Sequence, residues 1–532
     1  MELTRRLLLL GLAAAGTAVA TDAMAARKRS PKRSASTRSS RRKARSEEAA
    51  KAPPSLPKRP DGQPLRIPEI VALPDGEVYE LKAGPGSHAF VPDKPVPVAG
   101  YGGGYLGPAL KVKSGTTPRV RLVNGLDRPT NLHWHGLLVP GEADGGSHPG
   151  VAPGGTWEAA LPIDQPAATL WYHAHVHGRV AADLHDGLAG LLIVDDGSDE
   201  RLGLPSAWGV DDIPLVLQDR VFDDGGAPRY EENAGVFDHG FRGNRMVVNG
   251  TLDAVATVPQ RLVRLRLLNA SSARVYRLYL EDERAFKLIA TDGGYLPAPV
   301  DADTISLAPG ERAEILVDFA DGGTALMTTP DEHEHRVGLR AMRMPDVIST
   351  PVRLCAFHTE KDDKPAAKLP AALAALAEPD RAASVRTRNF RLQLRGGRPM
   401  SASAAHLHQA PGQHDGTGDA VERPAMAING KSFDPTRIDE EVKLGTTEIW
   451  EVVSPEMGHP FHIHGVQFRV LSEDGGIPKI WNRGVKDTVF VENSATLLVT
   501  FTKPAPRTAP FVFHCHVLEH EDSGMMGTFT VT

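Results

Sequence analysis

The chain has 532 residues, of which 41% are hydrophobic and 24% charged, with 52 glycines and 43 prolines. This is the composition of an ordinary soluble protein, and the length predicts about three domains of roughly 100–200 residues. The net charge of −6 is unevenly distributed, because the N-terminal part is strongly basic and the remainder acidic. An acidic body argues against nucleic-acid binding and favours the attraction of metal cations.

Residues 1–25 have the features of an export signal. Arg5 and Arg6 precede an apolar run that ends at Ala20, and Ala23-Met24-Ala25 has the spacing of a cleavage site. The apolar run is too short to span a bilayer comfortably, so we predict a cleaved twin-Arg signal instead of a membrane anchor. The predicted partner is the twin-Arg export machinery, and the predicted location is the periplasm or another exported compartment.

Residues 26–64 are rich in Arg, Lys, Ser, Ala and Pro. Such a segment cannot bury a core, so a basic disordered linker is predicted. It would serve as a solvated tether or adhere to an anionic membrane or cell wall. No later stretch approaches about 18 consecutive apolar residues, and we therefore predict no membrane span in the mature protein.

Short alternating apolar runs, broken by Gly, Pro, Asn and Asp, continue from residue 65 to the end. This pattern predicts an all-β protein made of sandwiches. Three units are predicted, over 65–200, 201–355 and 385–532, with an interdomain linker over 356–384. One short helix is predicted within that linker, at Ala371–Ala377.

The first and third units repeat the same order of motifs. Residues 112–117 precede His133-Trp134-His135, and the similar residues 442–447 precede a motif that runs from His459 to His464. In the middle unit the equivalent position is Ala270-Ser271-Ser272-Ala273-Arg274, which has no histidine. The middle unit is therefore predicted to be a spacer without metal, and the first and third units must meet to complete any shared site.

The C-terminal motif His514-Cys515-His516 has a specific chemical meaning. A thiolate with imidazoles and a weak thioether, here Met525, is a blue-copper ligand set. On a strand the two flanking histidines point to the opposite face from Cys515, so they are free to bind a second metal centre behind it. Further candidate ligands come as His-x-His pairs and single histidines: His133, His135, His173, His175, His459, His462, His464 and His520.

These ten histidines, Cys515 and Met525 together resemble the ligand set of the multicopper oxidases, which bind four copper ions. The likeness runs from about residue 65 to the end, and the stretch from Gly458 to Thr532 is most similar to bacterial copper-efflux oxidases and laccase-like relatives. The resemblance implies that the fold is three consecutive cupredoxin-like Greek-key β-sandwich domains.

The resemblance also implies a role for each ligand. A type 1 copper would be held by His459, Cys515, His520 and Met525. A type 2 copper would be held by His133 and His462. Two type 3 coppers would share the six remaining histidines, His135, His173, His175, His464, His514 and His516.

The implied reaction is the one-electron oxidation of a small reductant at the type 1 copper. It is coupled to the four-electron reduction of O2 to water at the other three ions, with Cys515 as the electron route between them. Asp144 and Glu521 resemble the family's acidic residues beside the cluster and would carry protons. The second cysteine, Cys355, is interpreted as a small buried hydrophobe.

The substrate is less well determined by the sequence. Met457 matches a family thioether position for Cu(I), and Glu456, Met342 and Asp346 would complete such a site, although Met342 would equally suit core packing. The family's long Met-rich insertion is absent, and a short loop over 406–414, which could gather copper through imidazoles, stands in its place.

Three hypotheses follow. The first is an oxidase of Cu(I) and phenols that serves copper tolerance. The second is a laccase-like phenol or bilirubin oxidase without a role in metal homeostasis. The third is a copper-free structural homologue related to cell division, which the intact ligand set argues against. The predicted partners are O2 and a small reductant, Cu(I) or phenolic, and a monomer is expected.

Overall fold

The computed structural model describes residues 62–146, 149–330, 348, 350–362, 368–394 and 425–532. The predicted signal at 1–25, most of the predicted linker, Met342, Asp346 and the loop over 406–414 lie outside the described residues. Three β-sandwiches follow one another along the described chain, each made of two sheets. The predicted all-β class with three consecutive sandwiches is confirmed.

The first sandwich pairs a five-stranded sheet, in the order β2-β5-β10-β9-β7, with a four-stranded sheet, in the order β4-β3-β6-β8. Its strands are β2 (Ile70–Ala72), β3 (Val78–Val91), β4 (Lys94–Tyr101), β5 (Ala109–Lys113), β6 (Arg119–Asn124), β7 (His133–His135), β8 (Thr156–Ala160), β9 (Ala168–His173) and β10 (Ala189–Asp195); β1 (Gln63–Pro64) precedes them. Leu81, Leu122 and Leu170 belong to the apolar core of this sandwich.

The middle sandwich has a six-stranded and an eight-stranded sheet. β1 adds to its edge by pairing with β15, so the predicted linker ends inside a strand. The sandwich also extends to Glu360, beyond the predicted boundary at 355, because Cys355 lies in mid-strand opposite Ala254. Its strands are β11 (Asp212–Phe222), β12 (Pro228–Arg229), β13 (Arg245–Val248), β14 (Thr251–Leu252), β15 (Ala254–Pro259), β16 (Leu262–Asn269), β17 (Tyr276–Leu280), β18 (Phe286–Thr291), β19 (Gly294–Ala302), β20 (Ile305–Leu307), β21 (Arg312–Asp318), β22 (Thr324–Thr328) and β23 (Val352–Glu360).

The third sandwich has a six-stranded sheet, in the order β25-β24-β27-β32-β29-β30, and a five-stranded sheet, in the order β26-β34-β33-β28-β31. Its strands are β24 (Ser384–Gln393), β25 (Ala427–Ile428), β26 (Glu440–Val442), β27 (Thr447–Val453), β28 (His459–Ile463), β29 (Gln467–Glu473), β30 (Val485–Lys486), β31 (Thr488–Val491), β32 (Ser494–Thr500), β33 (Phe511–Cys515) and β34 (Met526–Val531). Aromatic side chains such as Trp450 and Phe513 fill its core.

Short helices connect the strands in the described parts of the chain. They are α1 (Gly141–Asp144), α2 (Val180–Asp186), α3 (Ser198–Leu202), α4 (Ala234–His239) and α5 (Leu518–Asp522), with 3₁₀ turns at Arg381–Ala383 and Ile480–Asn482. None of the helices in these parts is long and apolar enough to cross a membrane.

The helix predicted at residues 371–377 is wrong, because this segment is not helical. Leu373 is buried, and its N–H donates to the carbonyl of Pro297. The segment therefore runs along the middle sandwich, and this docking outweighs the helix propensity of its alanines.

The first and third sandwiches meet along a direct seam. The N–H of Gly141 donates to the carbonyl of Pro504 at 2.9 Å. The carboxylate of Asp522 accepts from the N–H groups of Val180 and Ala181, each at 3.0 Å. This seam brings the ligand-bearing strands β7, β9, β28 and β33 toward one another.

Candidate metal centre

Four strands place eight histidines in pairs at the seam. In the strand registers, His133 of β7 lies opposite His173 of β9, and His462 of β28 lies opposite His514 of β33. Side chains alternate along a strand, so the intervening residues point away. Accordingly Trp134 packs into the core of the first sandwich. All eight imidazoles are buried: His133, His135, His173, His175, His462, His464, His514 and His516.

Imidazoles from the two sandwiches interleave. The ring centroids of His133 and His464 are 3.8 Å apart, and those of His135 and His462 are 3.7 Å apart, with the rings stacked in both pairs. The Nε2 atom of His514 lies 3.1 Å from Nε2 of His464 and 3.4 Å from Nε2 of His175. The side chains that the sequence assigned to one shared pocket are therefore in contact.

A metal would satisfy ring nitrogens that are otherwise unpaired. Nε2 of His133, His173 and His462 and Nδ1 of His135 are buried without a hydrogen-bond partner among the described residues. Buried polar atoms are normally paired, and leaving one unpaired costs about 1–3 kcal/mol. Imidazole nitrogens suit copper, so the donor set fits the metal that the sequence implied.

The opposite nitrogen of these rings is held in place. The Nδ1 atoms of His133, His173 and His462 lie 2.8–3.1 Å from backbone carbonyl oxygens, those of Asp144, Ala174 and Asp487 respectively. In contrast, His135 is held through Nε2, which lies 3.1 Å from Oδ1 of Asp487. Such contacts fix the tautomer and the ring orientation of metal-binding histidines.

Burial also favours the neutral form of several of the candidate ligand imidazoles. It lowers the pKa of His175 to about 4 and the pKa values of His459 and His514 to about 3. Burial and the neighbouring imidazoles lower the pKa values of His135 and His462 well below the ordinary value. A neutral imidazole keeps the lone pair that binds a metal.

A second cluster lies behind the first, around Cys515. The Sγ atom of Cys515 and one nitrogen each of His459 and His520 lie within 4.8 Å of one another. Met525 is buried in the same apolar cluster as Cys515, which favours it over its neighbour Met526 as the thioether. Burial raises the pKa of Cys515 well above its usual value, and a coordinating metal would be what ionises the thiol.

The two clusters are joined through Cys515 itself. Its neighbours His514 and His516 lie in the first cluster, and Nδ1 of His514 lies 3.1 Å from the carbonyl oxygen of Cys515. The covalent path from the Cys515 thiol to the imidazoles of the first cluster therefore crosses one residue of backbone. The contact between Nδ1 of His514 and the carbonyl oxygen of Cys515 offers a still shorter route.

Both predicted acids touch the first cluster. Asp144 Oδ2 lies 3.0 Å from Nδ1 of His464. The carboxylate oxygens of Glu521 lie 3.1 Å from Nε2 of His175 and 3.2 Å from Nδ1 of His514. Burial raises the pKa of Glu521 to about 7, against the opposing effect of His175 and His133.

The predicted substrate residues are placed only in part. Met457 is half-buried just before β28, and its carbonyl accepts a hydrogen bond from the Ser454 hydroxyl. Glu456 is exposed, and its Oε2 accepts from the N–H of Leu394 at 2.8 Å. Met342 and Asp346 lie outside the described residues, so their part in this site stays a prediction.

Several residues that contact the ligands were not predicted. Asp487 and Thr488 hold His135 and His462, and the Ser454 hydroxyl lies 2.5 Å from Nδ1 of His459. Asp487 lies between β30 and β31, and Thr488 begins β31, so neither position carried a sequence signal for a contact with a ligand. The contacts themselves are long-range and could not be deduced from spacing.

The middle sandwich also reaches the first cluster. Gly310 has a φ of +86°, and a Cβ there would lie 3.0 Å from a ring carbon of His516 and 3.2 Å from one of His135. Glycine is required at this point both by the backbone conformation and by the close approach of the imidazoles.

Comparison with known proteins gives one consistent family. Models described as multicopper oxidase match three segments, residues 85–199, 211–333 and 403–532. The cell division protein FtsP of Pectobacterium atrosepticum is 35% identical over 467 residues, covering 88% of this chain and 92% of that protein. FtsP of Escherichia coli is 34% identical over 469 residues, covering 88% and 93%.

Solved structures agree with this. The laccase-like multicopper oxidase CueO from Ochrobactrum sp. has a TM-score of 0.77 and 39% identity, covering 88% of this chain and all of that chain. The multicopper oxidase McoA of Aquifex aeolicus has a TM-score of 0.75 and 29% identity, covering 90% and 100%. The resemblance and the cupredoxin-like fold inferred from the sequence are confirmed.

Proposed function

The chain belongs to the multicopper oxidase family, and on that premise we propose that it is a copper-dependent oxidase using O2 as electron acceptor. It would couple the one-electron oxidation of a small reductant to the four-electron reduction of O2 to water. One observation carries this proposal: eight buried imidazoles from two sandwiches lie in one cluster, and two more lie beside a buried cysteine whose chain neighbours belong to that cluster, with ring nitrogens left unpaired among the described residues.

We propose four copper ions. His459, Cys515, His520 and Met525 would hold type 1 copper, and His133 and His462 would hold type 2. The type 3 pair would take two groups of three histidines. One group is His175, His464 and His514, whose ligand nitrogens lie within 4.8 Å of one another. The other is His135, His173 and His516, whose ring centroids are 5.1–5.8 Å apart.

Bound copper would supply the redox chemistry, namely one-electron transfer at the thiolate site and O2 reduction at the three-metal site. The protein's own contribution is to exclude water and to supply protons. Asp144 and Glu521 are the proposed proton carriers, since both are buried and both contact ligand imidazoles. A general acid must lie within hydrogen-bond reach of the group it serves, and these two sit at that range from the rings that would surround O2.

The proposal is tested by Cys515→Ser, with Cys355→Ser as matched control. Cys355 is the other buried free cysteine and lies in the middle sandwich, away from both clusters. The copper-loaded wild-type protein should bind four copper ions per chain, absorb strongly in the red and consume O2. Cys515→Ser should lose the red absorption and turnover, whereas Cys355→Ser should keep both. O2 consumption retained in Cys515→Ser, or one copper ion per wild-type chain, would refute the proposal.

We propose Cu(I) and phenols as the reductants, with a role in copper tolerance. The Ochrobactrum relative is described as active towards lignin model compounds and lignosulfonate, and a Campylobacter jejuni relative as a metallo-oxidase. Steady-state rates on Cu(I), Fe(II), bilirubin and a phenol would separate this from a laccase-like enzyme without a metal role. Export by the twin-Arg route and a monomeric state complete the proposal.

A role in cell division is the second candidate function. It is favoured by the identity of 34–37% to FtsP proteins over nearly their whole length. The two candidates are separable in cells that lack this protein. Rescue of a division defect by Cys515→Ser would support a copper-independent scaffold, whereas rescue of copper sensitivity by the wild type alone would support the oxidase.

A further inference from the structure

One arginine of the middle sandwich is bound to the histidine cluster through a carboxylate. Arg312 begins β21, and its side chain is fully buried. Its Nη1 donates to Oδ1 of Asp487 at 2.7 Å, and its Nη2 donates to Oδ2 at 2.5 Å. This is the two-pronged geometry in which a guanidinium fixes a carboxylate most firmly.

Asp487 in turn holds two histidines from different sandwiches. Its Oδ1 lies 3.1 Å from Nε2 of His135, and its backbone oxygen lies 2.8 Å from Nδ1 of His462. The Thr488 hydroxyl supports both rings, at 3.0 Å from His135 Nε2 and 3.1 Å from His462 Nδ1. His135 is thereby left with Nδ1 unpaired among the described residues, whereas His133, His173 and His462 leave Nε2 unpaired there.

The remaining donors of Arg312 are also used. Nε donates to the carbonyl of Thr169, Nη1 to that of Gly310 and Nη2 to that of Asp292. With the two bonds to Asp487, all five N–H donors of the guanidinium are satisfied. Thr169 belongs to the first sandwich, Gly310 and Asp292 to the middle one and Asp487 to the third, so this one side chain is bonded to all three.

We propose that Arg312 is a positioning residue for the three-metal cluster: through Asp487 it fixes the orientation and tautomer of His135 and the orientation of His462. The middle sandwich, which contributes no proposed ligand, would then be required for the cluster to bind copper. This inference rests on the proposed function. Lysine cannot replace Arg312, since its three donors on a flexible stem do not match the fork.

The test compares copper retention among variants of the full-length protein. Arg312→Met and Arg312→Lys remove the two parallel hydrogen bonds from the guanidinium to the Asp487 carboxylate. Asp487→Asn keeps the shape of the side chain but replaces the carboxylate by a neutral amide. Arg266→Lys is the matched control, because Arg266 is buried in the adjacent strand β16 and forms the same pair of hydrogen bonds with Asp212, a carboxylate that holds none of the candidate ligand histidines.

Copper per chain would be titrated against a chelator, alongside the red absorption of the thiolate site and the electron paramagnetic resonance signal of type 2 copper. We expect Arg312→Met to bind cluster copper about 10–100-fold more weakly, the usual effect of losing a group that orients a ligand, while keeping the red absorption. Arg312→Lys and Asp487→Asn should show the same selective loss. Arg266→Lys should keep both properties.

Unchanged cluster affinity and an unchanged type 2 signal in Arg312→Lys and Asp487→Asn would overturn the positioning role, whether or not Arg312→Met folds. So would a loss of equal size in Arg266→Lys, because the effect would then be general destabilisation. These outcomes differ from failure of the proposed function, in which the wild-type protein itself takes up no cluster copper.

Discussion

At the scale of single residues, the histidine nitrogen left for a metal is decided by what holds the other nitrogen. Asp144 and Ala174 offer backbone carbonyls to Nδ1 of His133 and His173, and both rings leave Nε2 unpaired among the described residues. His135 has the opposite arrangement because Asp487 and Thr488 take its Nε2. The identity of the ligand residues therefore does not by itself define the ligand atoms.

Met457 offers a residue-scale test of substrate class. Substitution by Ala should slow Cu(I) oxidation by about tenfold or more, the effect of losing a residue beside a metal site, and should affect phenol oxidation much less. The reason is that a thioether is a soft ligand suited to Cu(I), whereas a phenol needs no such ligand. Steady-state kcat/KM on both substrates measures this.

Met327→Ala is the control for Met457→Ala, because Met327 is also half-buried but lies on β22 of the middle sandwich. It should leave both rates unchanged. Equal losses on Cu(I) and on the phenol in Met457→Ala would remove the basis for a cuprous site.

The clustered histidines that we propose as ligands were predictable from sequence because their spacing is local. His-x-His on a strand places both rings on one face, and Cys515 between His514 and His516 links two faces of one strand. The groups that hold them were not predictable, since Asp487 and His135 are 352 positions apart and meet only when the sandwiches dock. The importance of Arg312 was missed for the same reason.

At the scale of elements, α2 takes its N-terminal cap from another sandwich. The side chain of Arg179 at the N-cap position accepts no capping hydrogen bond. The carboxylate of Asp522 in α5 accepts instead from Val180 and Ala181, at 3.0 Å each. The first turn of α2 is therefore stabilised only when the third sandwich is docked.

Asp522→Ala should lower the free energy of unfolding by about 1 kcal/mol, the usual effect of removing a cap. It should also speed hydrogen exchange at the amides of Val180 and Ala181. Asp522→Asn should be closer to wild type, because its amide oxygen still accepts one of the two bonds. Urea unfolding combined with amide exchange measures both effects, and unchanged exchange at these two amides in Asp522→Ala would contradict the assignment.

Strand existence was well predicted and element boundaries less so. The alternating apolar runs predicted strands from residue 65 onward, and β16 and β21 are two of the strands found there. The helix predicted at residues 371–377 was wrong because the contact of this segment with Pro297 outweighs the helix propensity of its alanines. The end of the middle sandwich was placed at 355 because the pairing of β23 with β15 is a long-range contact with no local signal.

At the scale of the whole molecule, the sandwiches are joined by buried charges as well as by apolar packing. Arg264 and Arg266 on β16 bind Asp212, Glu314 and Asp199. Asp199 lies on α3, which follows the last strand of the first sandwich. Networks of this kind depend on every partner being present, because a buried charge left alone is strongly destabilising.

Asp199 makes the contact between the first and middle sandwiches sensitive to acid. Burial would raise the pKa of Asp199, but the guanidinium groups of Arg264 and Arg266 outweigh that effect and lower the pKa to about 2. In the unfolded chain the pKa is near 3.8. Because the folded value is the lower one, the stabilisation is fully present above about pH 4 and is lost as the pH falls toward 2.

Asp199→Asn should therefore make the free energy of unfolding fall less steeply as the pH is lowered. One pKa unit corresponds to about 1.4 kcal/mol, so the wild-type protein should lose about 2 kcal/mol more than Asp199→Asn between pH 6 and pH 2. Urea unfolding at a series of pH values measures the difference, and Asp321→Asn, at an exposed position of the middle sandwich, is the control that should follow the wild-type curve. Parallel curves for the wild type and Asp199→Asn would show that the arginine pair does not hold Asp199 ionised. The contact between the first and middle sandwiches would then have to be stabilised by interactions other than the ion pairs of Asp199.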